Sequence, residues 1–174
     1  GRYATGSYNT FVGYESGRGS VTSAPFSSGN NNTALGYRAL YSFTTGNNNV
    51  AVGYDAGKEG TAIYQSTLVG YRAGQALTTQ ANNTFIGFDA GLLKTGQNNV
   101  AIGNQTFSAS GGANYSVAVG GGALYAITGD YNIGIGFSAM EQHTTGTRNI
   151  AIGHNAMDDT DAGSNSLGST DNIF

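Results

Sequence analysis

The sequence predicts an all-β protein, a parallel β-solenoid (β-roll) built from short repeats. Three observations lead to this prediction. An aliphatic residue followed by glycine recurs mostly every 16 or 17 residues, a short alternating apolar pattern precedes each recurrence, and glycine interrupts every apolar run before a helix could form. Repeats of this length stack so that each contacts only its neighbours. We therefore expect a single repeat domain over residues 1–174, with about nine to ten coils of 16–17 residues.

Positions within each coil are numbered from its marker glycine, and equivalent positions of successive coils form a column, with the glycines in column 0. The marker glycines are Gly13, Gly36, Gly53, Gly70, Gly87, Gly103, Gly120, Gly136 and Gly153, followed by a degenerate Gly168. The interval between Gly13 and Gly36 is longer than the others and contains the only proline, Pro25. Because insertions in a repeat protein become loops on one face, residues 18–28 are predicted to form an inserted loop.

The residues before each marker glycine predict a strand of about five residues. Column −3 is always β-branched and column −1 is always aliphatic, so the two columns share one face of the strand. We expect column −1 to form the structural core. Its members are Val12, Leu35, Val52, Val69, Ile86, Ile102, Val119, Ile135 and Ile152.

Small residues dominate column −2, which lies between these two and faces the opposite way. It runs from Phe11 and Ala34 to Ala151, with Ala or Gly in six of nine coils. A thin solenoid buries little surface by itself. We therefore expect the small column to admit a second chain at close range, in a homo-oligomer and specifically a homotrimer. After the glycine bend, a second short strand and a polar return are expected to complete the coil.

Asparagine or serine occupies column −4 in every coil. Stacked asparagines form hydrogen-bonded ladders, and asparagine also suits the turn that starts a strand. The predicted ladder contains Asn9, Asn32, Asn49, Asn83, Asn99, Asn132 and Asn149.

Columns +1 and +2 carry aromatic and charged residues in the first five coils. The charges alternate in sign, which predicts a ladder that fixes the register of stacking; it comprises Glu15, Arg38, Asp55, Arg72 and Asp89. The aromatic residues have two interpretations, a structural ladder or a surface on which sugar rings stack. Together with the loop, they give the candidate surface-binding residues Tyr14, Tyr37, Tyr54, Tyr71, Pro25 and Phe26.

Composition argues against several functions. The net charge is −3 and there is no basic patch, which gives no support to nucleic-acid binding. The sequence contains no run of 18 apolar residues, so no membrane-inserted segment is predicted. The absence of cysteine excludes disulfides and thiolate metal sites. We expect no cofactor.

Catalytic and metal motifs are also weak. The G-x-G-x-x-A match at residues 134–139 is a product of the repeat and lacks a βαβ context. Asp158, Asp159 and Asp161 are interpreted as a solvated turn rather than as a glycosidase pair or a calcium loop. His143 and His154 have no partners at ligand spacing. The sequence thus predicts no catalytic or metal-binding residue, and a protein that is not an enzyme.

The repeats resemble those of phage tail fibres. The segments Gly-Asn-Asn-Asn-Thr-Ala-Leu-Gly-Tyr-Arg-Ala-Leu at 29–40 and Gly-Asn-Asn-Asn-Val-Ala-Val-Gly-Tyr-Asp-Ala-Gly at 46–57 carry the resemblance. More distantly, they resemble the head repeats of trimeric autotransporter adhesins, which share an N-x-V-A-I-G core but have a shorter repeat. The resemblance implies a trimeric β-roll or β-solenoid in which each chain forms one wall, with surface attachment as its role.

These observations favour a structural and attachment segment of a trimeric viral tail fibre. We expect it on the virion surface or otherwise extracellular, binding a host-surface glycan or protein receptor through multivalent contacts. The alternative is a bacterial surface adhesin or an extracellular filament subunit. A polysaccharide-degrading tail spike would need paired carboxylates in a groove. An ice-binding solenoid would need a regular outward array of threonines, and the threonine column here alternates with Val and Ile and is interpreted as buried.

Overall fold

The computed structural model describes residues 5–19, 27–93, 95–109, 111–142 and 145–158. The central part of the inserted loop, including Pro25 and Phe26, lies outside the described residues, as do His143, Asp159, Asp161 and the degenerate marker Gly168.

Nine short parallel strands form one sheet, with their order in the sheet equal to their order in the chain. The strands are β1 Thr10–Val12, β2 Thr33–Leu35, β3 Val50–Val52, β4 Thr67–Val69, β5 Thr84–Ile86, β6 Val100–Ile102, β7 Val117–Val119, β8 Ile133–Ile135 and β9 Ile150–Ile152. Neighbouring strands pair in the register of the repeat, for example Thr33 with Val50 and Leu35 with Val52. The predicted all-β parallel solenoid is therefore confirmed, and the described residues contain no helix.

The coil differs from the prediction in its details. Each strand has three residues rather than about five. The segment after each marker glycine consists of turns, so the expected second strand does not form among the described residues. Backbone hydrogen bonds nevertheless join successive coils through these turns: the amide of Arg38 donates to the carbonyl oxygen of Tyr14, and the amide of Leu40 donates to that of Ala56. Alternate turn residues have positive φ, such as Asp55 at 53° and Gly57 at 59°, which turns the chain too tightly for a strand.

The marker glycines are required by the stacking distance between coils. Their φ angles lie between 125° and 140°, a region that residues with a side chain rarely adopt. A Cβ atom on Gly53 would lie 2.2 Å from the carbonyl oxygen of Gly70 in the next coil, and one on Gly70 would lie equally close, 2.2 Å, to that of Gly87. Any side chain at column 0 would therefore push successive coils apart.

The core lies on the opposite side of the strands from the one predicted. Column −1 faces outward: Val12 and Ile152 are 55% and 60% exposed, and no member of the column is buried. The residues that face inward are those of column −2, such as Ala51 and Leu68, which are fully buried. The alternation identified the two faces correctly, but it does not distinguish inside from outside. The small column fills the narrow interior of the coil and is not the approach site for a second chain.

Two columns fill this interior by compensating for each other in size. Where column −2 is large, column +4 is glycine, and a Cβ on Gly91 would lie 2.3 Å from the ring of Phe85. The coil of Gly53 is an exception, since it combines Ala51 with Gly57, and the side chains of Leu40 and Leu68 from the neighbouring coils lie beside Gly57. In the other five coils where column −2 is small, column +4 is large. These pairs include Ala34 with Leu40, Ala101 with Phe107, Ala118 with Leu124 and Gly134 with Met140. Each coil thus holds about one large side chain at this level, which keeps packing dense along the rod.

Candidate binding surfaces

The column −4 asparagines form a hydrogen-bonded ladder inside the coils. The backbone amide of Asn49 donates to Oδ1 of Asn32 at 3.0 Å, and its side-chain Nδ2 donates to the same oxygen at 2.9 Å and to the carbonyl oxygen of Ile63 at 2.8 Å. Serine continues the pattern, since the amide of Asn83 donates to Oγ of Ser66 at 3.2 Å. From Asn32 onward every member is buried. These amide groups are used within the fold, so the ladder offers nothing to a ligand.

The aromatic residues of column +1 stack into a continuous ladder in the first five coils, which we call the aromatic ladder. It consists of Tyr14, Tyr37, Tyr54, Tyr71 and Phe88, with ring centroids 4.9–5.5 Å apart and interplanar angles of 8–14°. The rings are solvent-exposed at their edges, but both faces of each internal ring are covered by neighbouring rings. A sugar that stacks face to face on an aromatic ring therefore has no free face within the ladder. Such a face is available only where the column of rings ends or is interrupted.

The predicted charge ladder forms separate pairs. Nε and Nη2 of Arg72 donate to the two carboxylate oxygens of Asp89 at 2.9 and 2.6 Å, and these hydrogen bonds raise the pKa of Arg72. Nε of Arg38 lies 3.3 Å from Oδ1 of Asp55, which also contacts Lys58 at 3.4 Å.

Glu15 pairs within its own coil, with Arg18 at 3.1 Å. Arg38 and Arg72 also lie over rings of the aromatic ladder, with Arg72 4.9 Å from the centroid of Tyr71. The pairs of Arg38 with Asp55 and of Arg72 with Asp89 thus join neighbouring coils, and each charge in column +2 has a partner of opposite sign.

The outward surface of the nine strands is continuous and mostly apolar; we call columns −3 and −1 together the strand face. It contains eighteen residues, four of them threonine and the rest Val, Ile or Leu, and none is charged. None of the eighteen is buried in the single chain. Nine strands at about 4.8 Å, each about 10 Å long, give a flat surface on the order of 400 Å². An apolar patch of this size is within the range of the largest patch on a typical monomer, and such patches are often functional.

The remaining motifs lie in structural positions. Gly134 of the G-x-G-x-x-A match is buried in β8, and the residues that follow form turns rather than the helix that a dinucleotide site requires. Among the described residues, no group of three His, Asp or Glu side chains is arranged to hold a metal ion. Within the same part of the chain, no helix is long and apolar enough to cross a membrane.

Comparison of the chain with protein-family models, curated proteins and solved structures finds no match in any of the three.

Proposed function

We propose that this chain is a structural and attachment segment of a trimeric viral tail fibre, in which three rods pack through their strand faces. The observation that carries the proposal is that all fourteen aliphatic side chains on that face are exposed or half-buried in the single chain. Burial of apolar surface contributes about 25 cal/mol per Å², so a rod gains stability when this face is covered.

A further copy of the same chain is the partner that fits the strand face best. The face repeats at every coil over nine strands, and an identical chain presents the same spacing along its whole length. It lacks charge and hydrogen-bonding side chains other than four threonines, so its composition resembles that of a homomeric interface core. Closed symmetry in which all three faces meet at one axis leaves the aromatic ladder and the turns for contact with a host surface.

The proposed activity is binding rather than catalysis. Three parallel rods repeat every surface feature three times around the axis and, where coils are alike, along it. Weak contacts with a host-surface glycan or protein receptor then combine into stable attachment through avidity. Nucleic acid and membrane insertion have no part in this proposal, and its place of action is the virion surface or another extracellular setting.

The first experiment is to measure the mass of the purified chain in solution by light scattering. We expect a trimer of three times 17.8 kDa. Ile102→Lys together with Val119→Lys should convert it to a monomer with an unchanged circular dichroism spectrum, because both side chains project outward from the strand face. Thr79→Lys, exposed on the return segment, is the matched control and should remain trimeric.

A monomeric wild-type chain would overturn the trimer. In that case the strand face would be tested for ice binding by thermal hysteresis, since its four threonines face outward rather than being buried as the sequence suggested. The alternative of a bacterial surface adhesin or extracellular filament subunit uses the same trimer. Localisation with an antibody, on virions or on bacterial cells, distinguishes the two.

A further inference from the structure

The aromatic ladder is interrupted at two successive coils, and the interruption forms a notch. After Phe88, column +1 continues with Asn104, Gly121, Phe137 and His154. In the Gly120 coil, columns +1 and +2 are both glycine, so this coil contributes no side chain at either position. The result is a cleft of about 180 Å³, and it is lined by Asn104, Gln105, Gly121, Gly122, Phe137, Ser138 and Glu141.

Phe137 presents one free ring face to this notch. Its other face is stacked on His154, with centroids 5.5 Å apart and an interplanar angle of 16°. The side chain is 60% exposed. A Cβ added to Gly121 would lie 3.4 and 3.6 Å from two carbon atoms of the Phe137 ring, so the empty position lies against that free face. A ring placed in the notch would occupy the missing rung of the ladder at ordinary stacking distance.

Polar side chains surround the free ring face. A Cβ on Gly122 would lie 3.4 Å from a carboxylate oxygen of Glu141 and 3.4 Å from Oγ of Ser138, which places both groups beside the notch. Asn104 and Gln105 line it from the preceding coil. The side chains of Asn104, Gln105 and Glu141 form no hydrogen bond or ion pair with another described residue, unlike many polar side chains elsewhere on the rod.

We infer that the notch binds a single hexopyranose unit of a saccharide. Its apolar C–H face would stack on Phe137, and its ring hydroxyls would donate to Glu141 and exchange hydrogen bonds with the amides of Asn104 and Gln105. A sugar ring suits the site better than an aromatic side chain of a protein does, because the latter offers one hydroxyl at most to two amides, a hydroxyl and a carboxylate. The inference names a ligand class for the attachment role proposed above, and rests on that role only for its biological use.

The site is small and open, so each copy should bind weakly and three copies in a trimer should bind by avidity. Methyl hexopyranosides of the gluco, galacto, manno and N-acetylglucosamine series are the probes. Saturation-transfer difference NMR on the full chain detects binding and gives the dissociation constant. We expect at least one of the four to bind in the millimolar range, with the strongest transfer to protons on one face of the ring.

Three variants test the position of the sugar. Gly121 has no positive φ, and the Cβ contacts that it would make are ordinary van der Waals distances, so Gly121→Tyr should restore the missing rung without strain and abolish binding. Phe137→Ala should weaken binding at least about tenfold through loss of the stacking surface. Glu141→Gln keeps the shape of the notch and should weaken binding about two- to fivefold through loss of a charged acceptor.

Tyr131→Ala is the control, because Tyr131 is an exposed ring with one stacked neighbour, Tyr115, and lies outside both the aromatic ladder and the notch. Its dissociation constant should equal that of the wild type. Overturning results are binding that persists in Gly121→Tyr, binding that disappears in Tyr131→Ala, and binding of none of the four sugars. Binding of an aromatic peptide in place of the sugars would also overturn the inference, as would a changed oligomeric mass in Gly121→Tyr, which would mean that a neighbouring chain fills the notch. A trimer without sugar binding overturns this inference alone, and a monomer that binds sugar overturns the trimeric fibre alone.

Discussion

The coils marked by Gly13 to Gly87 and those marked by Gly103 to Gly153 have the same backbone conformation but different outer surfaces. The first group carries the aromatic ladder and the ion pairs of Glu15, Asp55 and Asp89 with their basic partners. The second group has two separate ring pairs, Tyr115 with Tyr131 and Phe137 with His154, and no charged pair in column +2. Strand pairing, marker glycines and the buried asparagine column continue unchanged through both. The outer ladders are therefore additions to a fold whose interior is sufficient without them.

The interior should respond alike in both groups, and the marker glycines give the largest effect. Gly70→Ala and Gly136→Ala each place a Cβ 2.2 Å from a carbonyl oxygen of the next coil, at φ values of 138° and 134°. We expect each to lower the free energy of unfolding by more than about 3 kcal/mol. Denaturant unfolding followed by circular dichroism measures this loss.

Gly121→Ala is the matched control for these substitutions. Its Cβ has no contact shorter than 3.4 Å, and the residue lacks a positive φ, so stability should rise by about 0.4–1 kcal/mol or stay unchanged. A large loss in only one of the two marker variants would show that the two groups of coils have different interiors.

The size compensation between columns −2 and +4 gives the next effect. Phe85→Ala should cost about 3–5 kcal/mol, because it empties a fully buried position next to Gly91. The second substitution Gly91→Leu reproduces the Ala34–Leu40 combination, and Leu40 has a φ of 50° close to the 63° of Gly91. We therefore expect the double variant to recover at least half of the loss.

Gly91→Leu alone is the control for this rescue. It should be destabilising, because its Cβ would lie 2.3 Å from the Phe85 ring. Additive losses in the double variant, measured in the same unfolding experiment, would contradict the compensation.

The outer charges should have the smallest effect, and only in the first group. Arg72→Gln removes two hydrogen bonds to Asp89 and a contact with the Tyr71 ring, at a residue whose side chain is 33% exposed. The expected loss is about 1–2 kcal/mol, because Arg72 is one-third exposed but the side chain of Asp89 is only 4% exposed and loses a partner, and the loss should shrink as salt concentration rises. Gln105→Arg is the counterpart of this substitution in the second group, because it would add an arginine to column +2 between Asp89 and Gly122. A salt-independent loss of several kcal/mol in Arg72→Gln would mean that the ladder is essential to the fold.

The sequence alone determined the coil boundaries, the parallel stacking and the residues that share each column. The period and the marker glycine recur in every repeat, because each coil repeats the same backbone conformation and the same close approach to the next coil. It also contained the size compensation between columns −2 and +4, although that signal becomes visible only when the two columns are compared within each coil.

Only the tertiary structure decided which face of each strand is inside. A period of two gives two faces, and hydrophobicity favoured the wrong one, because Val12 and Ile152 are larger and more apolar than Ala34 and Ala51. The coil is so narrow that its interior takes alanine and only one or two large side chains, such as Leu40 with Phe43, and the aliphatic residues of column −1 are left outside. The notch beside Phe137 was equally hidden, since Gly121 and Gly122 form a cleft only through side chains of the coils above and below them.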